Sequence, residues 1–223
     1  MIGKISEVFD SVQGEGLYLG QKQIFIRFFG CNLKCQFCDT KLDRFFEYEP
    51  HELLDEVKLY RDKYHSVSFT GGEPLLQNNF LKEMLKLTCG HGYKNYLETN
   101  GTLPGNLEEV IDHLHIVAMD VKLPSSTGMG DHWDTHRQFL RIASKKEVFL
   151  KTIICVSTKE EDLSQALAVI EEVNKSAILV LQPNSCENQE ELAVKLERFK
   201  EICREKKITA CVIPQMHKIM GIR

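Results

Sequence analysis

The amino-acid sequence predicts an α/β fold, a partial (β/α)6 barrel that is open on one side and has short N-terminal and C-terminal extensions. An apolar or β-branched run is followed by a helical pattern of about 10 to 20 residues, six times in succession. Polar or glycine-rich residues follow most of these runs, as expected where parallel strands end at one rim. No linker, charge block or repeat divides the chain, so one domain over residues 1–223 is predicted.

The six strands are predicted at 23–29, 66–70, 95–99, 115–121, 148–156 and 177–182. The helical patterns lie near 50–63, 78–90, 106–113, 132–143, 159–174 and 187–206. Pro50 suits the first turn of its helix, where a backbone N–H is not needed. A short strand near "KISEVF" and another at 208–213 form the extensions. Because eight right-handed βα units close a barrel, six leave one side open.

Composition argues against two classes of partner. The chain has 32 acidic and 28 basic residues and a net charge of −4, so it lacks the positive field that attracts nucleic acid. Its apolar runs are too short to span a bilayer and its N-terminus lacks a signal core, which predicts no membrane partner and a cytoplasmic location. In that reducing compartment, cysteines are expected to be metal ligands or buried apolar residues rather than disulfides.

The stretch "GCNLKCQFCDT" places Cys31, Cys35 and Cys38 within eight residues, directly after the first strand of the predicted barrel. No second close pair of cysteines follows, as a four-ligand structural zinc site usually requires, although three ligands and an open position are also a zinc pattern. A buried, inert trio is disfavoured by the polar residues among the thiols. An iron–sulfur cubane on three thiolates would leave one iron free for an exogenous ligand.

A second motif, "GGEP" at 71–74, follows the next strand. Together with the C-x3-C-x2-C spacing and an aromatic residue before the last cysteine, it resembles the radical S-adenosylmethionine superfamily. The resemblance implies a TIM-like core domain of that type and a [4Fe–4S] cluster on the three cysteines. It also implies that S-adenosylmethionine binds the open iron and is cleaved to a 5′-deoxyadenosyl radical. Gly71 and Gly72 would let the backbone approach this cofactor, and the Glu73 carboxylate would accept from its ammonium group.

The segment "SVQGEGLYLGQ" at 11–21, together with "FIRFFGCNLKCQFCDT", resembles the 7-carboxy-7-deazaguanine synthases of queuosine and 7-deazapurine biosynthesis, a tRNA modification pathway. The resemblance continues through "SFTGGEPLLQ", "LETNGT" and "PQMHKIMGIR". These lyases convert 6-carboxy-5,6,7,8-tetrahydropterin to 7-carboxy-7-deazaguanine by radical ring contraction with loss of ammonia. The resemblance implies a Mg²⁺ ion that orients the substrate carboxylate, an electron donor such as flavodoxin or ferredoxin, and a homodimer.

The resemblance also assigns residues to ligands. The substrate contacts are Val12, Gln13, Gly14, Glu15, Arg27, Thr70 and His217. The cofactor contacts are Phe37, Cys38, Asp39, Gly71, Gly72, Glu73, Asp120, Val121, Lys122 and Gln182. Near Asp120, "MDVKLPSS" departs from the serine-proline-lysine of many members. Thr40 is the Mg²⁺ ligand.

Arg27 has support from the strand pattern as well. Along "IFIRFF" the two-residue period puts Arg27 on one face with Phe25 and Phe29, so its guanidinium is expected among apolar neighbours near the rim. A substrate carboxylate would compensate that charge in a bidentate pair. The simpler alternative is an exposed arginine at the edge of the fold.

Two other functions share the cysteine motif. A glycyl-radical-enzyme activase would use the same cluster and the same Gly-Gly-Glu-Pro turn, but "QGEG", Arg27 and "CDT" have no role in it. A non-catalytic metal protein, either stabilised by zinc or acting as an electron carrier, would not respond to S-adenosylmethionine.

Overall fold

Nine strands form one sheet in the computed structural model, which describes residues 1–40 and 42–221. The strands are β1 (Gly3–Val12), β2 (Lys22–Phe28), β3 (Phe46–Tyr48), β4 (Ser66–Gly71), β5 (Asn95–Thr99), β6 (Ile116–Asp120), β7 (Glu147–Ile154), β8 (Leu179–Pro183) and β9 (Ala210–Val212). The helices are α1 (Pro50–Val57), α2 (Asn78–Gly90), α3 (Pro104–Val110), α4 (Pro124–Thr127), α5 (Trp133–Ala143), α6 (Glu160–Val173), α7 (Gln189–Glu205) and α8 (Met216–Met220). None of the helices in this described part of the chain is long and apolar enough to cross a bilayer.

The sheet has the order β3-β1-β2-β4-β5-β6-β7-β8-β9. From β2 to β9 every neighbouring pair of strands is parallel, whereas β1 runs antiparallel to β2 and β3 antiparallel to β1. Within the described residues β3 and β9 remain the two edges, so the parallel strands curve into an open barrel. The predicted fold class, a partial (β/α)6 barrel with terminal extensions, is confirmed.

Residues alternate between two environments along each parallel strand. On β4, Val67 and Phe69 belong to the main core under the helices, while Thr70 lines a cavity on the inner side. A separate apolar cluster that includes Tyr96 and Phe149 fills the inner side deeper in the barrel. The interior is therefore apolar at its base and polar at the carboxyl ends of the strands, which positions the site.

Element boundaries differ from the predictions where the apolar pattern runs out. Helix α1 begins at Pro50 as predicted, with a capping box between Glu49 and Glu52. It ends at Val57 rather than at 63, because Leu59 is 71% exposed and no residue at 58–63 is buried. Strand β3 and helices α4 and α8 were not predicted, since segments of three to five residues are too short to display a period.

The segment between β1 and β2 is more than a hairpin connection. A 3-10 turn at Gly16–Tyr18 carries the Tyr18 ring to within 5.7 Å of the Tyr96 ring and 6.3 Å of the Phe149 ring, centroid to centroid. Gly16 has a φ of +65°, and a Cβ there would lie 2.7 Å from the Phe149 ring. The turn thus inserts into the barrel base and fixes the loop residues just before it.

Candidate active site

A cavity of about 520 Å³ lies at the carboxyl ends of the parallel strands. Its volume falls within the ~300–1,000 Å³ typical of small-molecule sites, and this end of (β/α) barrels is where catalytic residues collect. Of the residues that the sequence assigned to ligands, all except Glu73 and Val121 line it. Those lining it are Val12, Gln13, Gly14, Glu15, Arg27, Cys31, Cys35, Phe37, Cys38, Asp39, Thr40, Thr70, Gly71, Gly72, Asp120, Lys122, Gln182 and His217.

The loop that carries the three cysteines leaves β2 through Gly30, whose φ is +94°. It has no helix or strand, and the Gln36 N–H anchors it by donating to the Thr127 carbonyl over 3.0 Å. Cys31 and Cys38 are exposed and Cys35 is half-buried. Partial burial raises the pKa of the Cys31 and Cys35 thiols. All three cysteines line the cavity.

The arrangement of these thiols does not favour a single metal ion. In the described residues no three histidine, cysteine or acidic side chains converge closely enough to hold one ion, as tetrahedral zinc requires. A [4Fe–4S] cluster takes each thiolate on a different iron, so its ligands stand further apart. Five other cysteines, at 89, 155, 186, 203 and 211, are absent from the cavity wall as described.

The two glycines after β4 allow a close approach between loops. Gly71 has a φ of +122°, and a Cβ on Gly72 would lie 1.9 Å from the Gly30 carbonyl oxygen. The Glu73 N–H donates to that same oxygen over 2.8 Å. Gly72 also lines the cavity. A side chain cannot be placed at this position because the cysteine loop packs directly against its backbone.

Gly72→Ala is expected to displace the cysteine loop. We expect the melting temperature to fall by several degrees and the iron content after anaerobic reconstitution to drop sharply, because the Gly30 carbonyl oxygen must move away from a Cβ that would lie only 1.9 Å from it. Gly105→Ala is the control, since a Cβ on Gly105 in α3 meets no atom within 4 Å. Calorimetry and iron analysis of both variants test this; wild-type iron in the Gly72 variant would contradict it.

Two of the expected cofactor contacts, Glu73 and Val121, do not line the cavity. The Glu73 side chain is fully buried, and its carboxylate accepts from the Thr99 hydroxyl at 3.0 Å and from the Asn100 N–H at 2.7 Å. Burial raises its pKa to about 7 despite these bonds. Val121 is 2% exposed because it packs in the core. Glu73 therefore fastens β4 to the loop after β5 rather than facing a ligand.

A row of charges crosses the cavity from the β1–β2 loop to β6. The Lys151 ammonium forms a 2.5 Å ion pair with Glu15 and lies 3.4 Å from the Asp120 carboxylate, which also pairs with Lys122 at 2.7 Å. Burial would raise the pKa of Glu15, but Lys151 and hydrogen bonds from neighbouring amides outweigh it and lower the pKa to about 2. The Glu15 carboxylate is thus held ionised.

Lys151→Met is expected to lower the free energy of unfolding at pH 7 by about 3 to 5 kcal/mol, because it leaves the Glu15 carboxylate without its lysine partner. In the wild type, Glu15 contributes stability above pH 4.5 that is lost as the pH falls towards 2, since its pKa is lowered on folding. That acid-side loss should disappear in the variant. Urea unfolding against pH measures both effects.

Lys145→Met is the matched control for this prediction. Its 2.5 Å pair with Glu108 is half-exposed on both sides, so the expected change is below about 1 kcal/mol. An equal decrease in the free energy of unfolding in the two variants would show that the Lys151–Glu15 pair stabilises the protein no more than an exposed ion pair does.

A second group joins the loop before the 3-10 turn to the barrel wall. The Gln13 amide donates to Glu98 Oε1 over 2.8 Å and to the Gln23 side chain over 3.1 Å. The Thr70 hydroxyl donates to Glu98 Oε2 over 2.9 Å. In the described part of the chain Glu98 has no ion pair, whereas the other carboxylates of the cavity wall are paired with lysine or arginine.

Arg27 lies on the predicted face, but its surroundings differ from the expectation. Its guanidinium lies 5.6 Å from the centroid of the Phe9 ring, and its Nε donates to Glu7 over 2.6 Å. Phe29 follows the strand and its ring packs at a tilt against the Phe45 ring, with centroids 4.8 Å apart, instead of lining the cavity. The guanidinium is thus half-buried with a protein carboxylate already in place, so a ligand is not needed to compensate its charge.

The remaining predicted residues complete the wall. His217 Nδ1 lies 3.9 Å from Glu15, and the histidine packs so closely on Gly14 that a Cβ there would lie 2.6 Å from its own. Gln182 is fully buried, and its amide has no partner within hydrogen-bond distance in the described residues. The amide nevertheless lies close enough to Glu15 to lower the pKa of the Glu15 carboxyl.

The sequence interpretation missed several wall residues, among them Glu98, Lys151, Gln215 and Lys218. Lys151 is the one charged residue within the predicted strand at 148–156, and a charged residue inside an apolar strand indicates a buried pair. Glu98 ends another strand within "LETNGT", at the rim where chemistry was expected. Gln215 and Lys218 flank His217 in the C-terminal motif but carry no signal of their own.

This site and the open barrel define a radical S-adenosylmethionine protein, and the profile of the Radical SAM superfamily matches residues 25–172. Two relatives named 7-carboxy-7-deazaguanine synthase match almost end to end. The one from Geobacter sulfurreducens is 35% identical, over 98% of this chain and 97% of its own. The one from Methanothermobacter thermautotrophicus is 33% identical, over 100% and 99%. The chain therefore belongs to the family of 7-carboxy-7-deazaguanine synthases.

A solved structure agrees with the fold. QueE from Escherichia coli is 20% identical, with a TM-score of 0.67 over 95% of this chain and 93% of its own. The superfamily implies a [4Fe–4S] cluster and S-adenosylmethionine. The donors present fit both groups, because three thiols share the cavity with the unpartnered Gln182 amide and with the backbone of Gly71 and Gly72.

Proposed function

We propose that this chain converts 6-carboxy-5,6,7,8-tetrahydropterin to 7-carboxy-7-deazaguanine with loss of ammonia. The main support for the proposal is that one cavity is lined by two sets of residues. The first set is the three cysteines, and the second set consists of the polar residues Gln13, Glu15, Arg27 and Glu98. An electron carrier would not need the second set. A protein-backbone substrate, as in an activase, would not need a cavity with several charged side chains.

When bound, the cluster and S-adenosylmethionine would supply a 5′-deoxyadenosyl radical, the species that would abstract hydrogen from C6 of the pterin. Cys31, Cys35 and Cys38 would hold the cluster. Asp120 and Lys122 offer an acceptor and a donor to the polar groups of the cofactor. The remaining contacts assigned to it are Phe37, Asp39, Gly71, Gly72 and Gln182.

The pterin would bind against Glu98. A 2-amino-4-oxopyrimidine ring presents two adjacent N–H donors, which match the two oxygens of a carboxylate. Gln13 and Thr70 each occupy one lone pair of Glu98 and so fix its orientation, leaving further lone pairs for the ring. Glu98 has no ion pair in the described residues, so no lysine or arginine side chain occupies these remaining lone pairs.

The substrate carboxylate would lie near Arg27 and the magnesium ion. Glu7 binds the guanidinium through Nε, which leaves its two terminal nitrogens to a carboxylate. Thr40 lines the same cavity and would give Mg²⁺ one hydroxyl oxygen, with water and substrate oxygens as the other ligands. Val12, Gly14, Glu15 and His217 would complete the substrate contacts.

The proposal extends to the partners of the enzyme. Residues 1–223 would act as one core domain, as a homodimer in the cytoplasm, without nucleic acid or membrane as a partner. A flavodoxin or ferredoxin would supply the electron, which a cluster ligated by the exposed Cys31 and Cys38 is suited to receive.

A substrate assay tests the function. The anaerobically reconstituted and reduced protein, given S-adenosylmethionine, Mg²⁺ and the carboxytetrahydropterin, is expected to form a deazapurine of the product mass and release ammonia. Cleavage of the cofactor with no deazapurine would favour an activase, and a cluster whose EPR spectrum ignores the cofactor would favour an electron carrier.

A further inference from the structure

Gln215 joins four separate segments at the edge of the cavity. Its Nε2 donates to Glu15 Oε1 over 2.9 Å and to Asp39 Oδ2 over 3.1 Å. Its Oε1 accepts from the Ser185 hydroxyl over 2.7 Å and from the Lys218 ammonium over 3.0 Å. The side chain is only 7% exposed, and both N–H groups and both lone pairs of the amide are in use.

These partners belong to different parts of the chain. Glu15 lies in the loop between β1 and β2, Asp39 directly follows the last cysteine of the cluster loop, and Ser185 follows β8. The backbone supports the link, because the Met216 N–H donates to the Gly14 carbonyl over 2.9 Å. Lys218 forms an ion pair with Asp39 as well. One amide therefore connects the residues before the 3-10 turn with the loop that carries the thiols.

We propose that Gln215 is a positioning residue that sets the separation of the β1–β2 loop and the cysteine loop, and so the distance from the pterin C6 to the radical. The inference rests on the proposed function, which places the pterin against the first loop and the cofactor against the second. A misplacement of about 1 Å between reacting groups can lower a rate by about 100-fold. Gln215 itself touches neither ligand in this account.

Only a neutral amide has the required polarity. Its NH2 group lies between two carboxylates, Glu15 and Asp39, while its oxygen faces two donors. A glutamate of the same size would add a third negative charge between the first two. A methionine would keep the volume but form none of the four hydrogen bonds.

The test compares Gln215→Glu and Gln215→Met with wild type. Hydrogen exchange of the full chain without ligands should accelerate by about 10-fold or more at residues 12–21 and 34–40, because the bonds joining these loops are lost. With substrate present, product formation should fall by about 100-fold while cofactor cleavage continues, so more 5′-deoxyadenosine forms per product. Gln189→Glu is the control, since Gln189 does not line the cavity and its amide donates to two backbone carbonyls rather than to the β1–β2 loop or the cysteine loop.

Each outcome decides the matter. If Gln215→Glu fails to fold by circular dichroism, the methionine variant, which adds no charge, carries the test. Wild-type exchange in both loops would overturn the inference, and so would an unchanged ratio of 5′-deoxyadenosine to product. A wild-type enzyme that makes no deazapurine would instead overturn the proposed function and leave the exchange result to be judged separately.

Discussion

Cys35→Ala is expected to give a folded protein that does not cleave S-adenosylmethionine. It should bind far less iron than the wild type, for which about four iron atoms are expected. The Cys35 thiol is half-buried and lines the cavity, so no other described cysteine can take its position. Because the cysteine loop contains no helix or strand, removal of the Cys35 thiol should change the melting temperature little. Iron and sulfide analysis, absorbance near the cluster bands and an assay for 5′-deoxyadenosine measure the effects.

Cys186→Ala is the matched control. Cys186 is exposed and, like Cys35, lies on a loop, but it is outside the cavity, so its replacement should leave iron content and cleavage at wild-type levels. Equal iron in the two variants, or equal loss, would contradict the assignment of the cluster to the three-cysteine loop.

Glu98→Gln is expected to weaken binding of the pterin by about 10- to 100-fold, which corresponds to the ~1.5–3 kcal/mol of a hydrogen bond to a charged group. The variant keeps the shape of the side chain but replaces the acceptor pair with one acceptor and one donor, which would oppose the N–H groups of the ring. We expect KM to rise with little change in cluster content. Titration with the oxidised analogue 6-carboxypterin gives a binding constant that does not depend on turnover.

Glu83→Gln serves as the control for this change, since Glu83 lies on the exposed side of α2 and pairs with Lys86. Cofactor cleavage without substrate should be the same in both variants. An unchanged binding constant in the Glu98 variant would show that another group recognises the ring.

Much of the fold could be predicted because its signals are local. Each signal lies within a short stretch of sequence. This holds for the apolar runs of the parallel strands, the helical patterns between them, the three cysteines and the Gly-Gly-Glu-Pro turn. Once these strands are parallel, their carboxyl ends must meet at one rim. The order of the strands therefore brings together residues as distant as Gln13, Cys38 and Lys122 in one cavity.

Other parts of the site depend on distances that the sequence does not contain. Glu73 was expected to face a ligand, but the Asn100 N–H from the loop after β5 binds its carboxylate. Arg27 was expected to need a ligand carboxylate, but β1 places Glu7 beside it. The Gln215 amide reaches its hydrogen-bond partners because the C-terminal segment folds over the cavity. Each of these contacts joins residues that are far apart in the chain.

The most direct test of the central claim follows one hydrogen atom. Reduced enzyme is given 6-carboxytetrahydropterin deuterated at C6 with unlabelled S-adenosylmethionine. We expect deazaguanine product together with deuterium at C5′ of the recovered cofactor or its 5′-deoxyadenosine, because the residues around Glu98 and the cysteine loop would hold pterin and cofactor in contact. Cofactor cleavage with no product and no deuterium transfer would contradict the account.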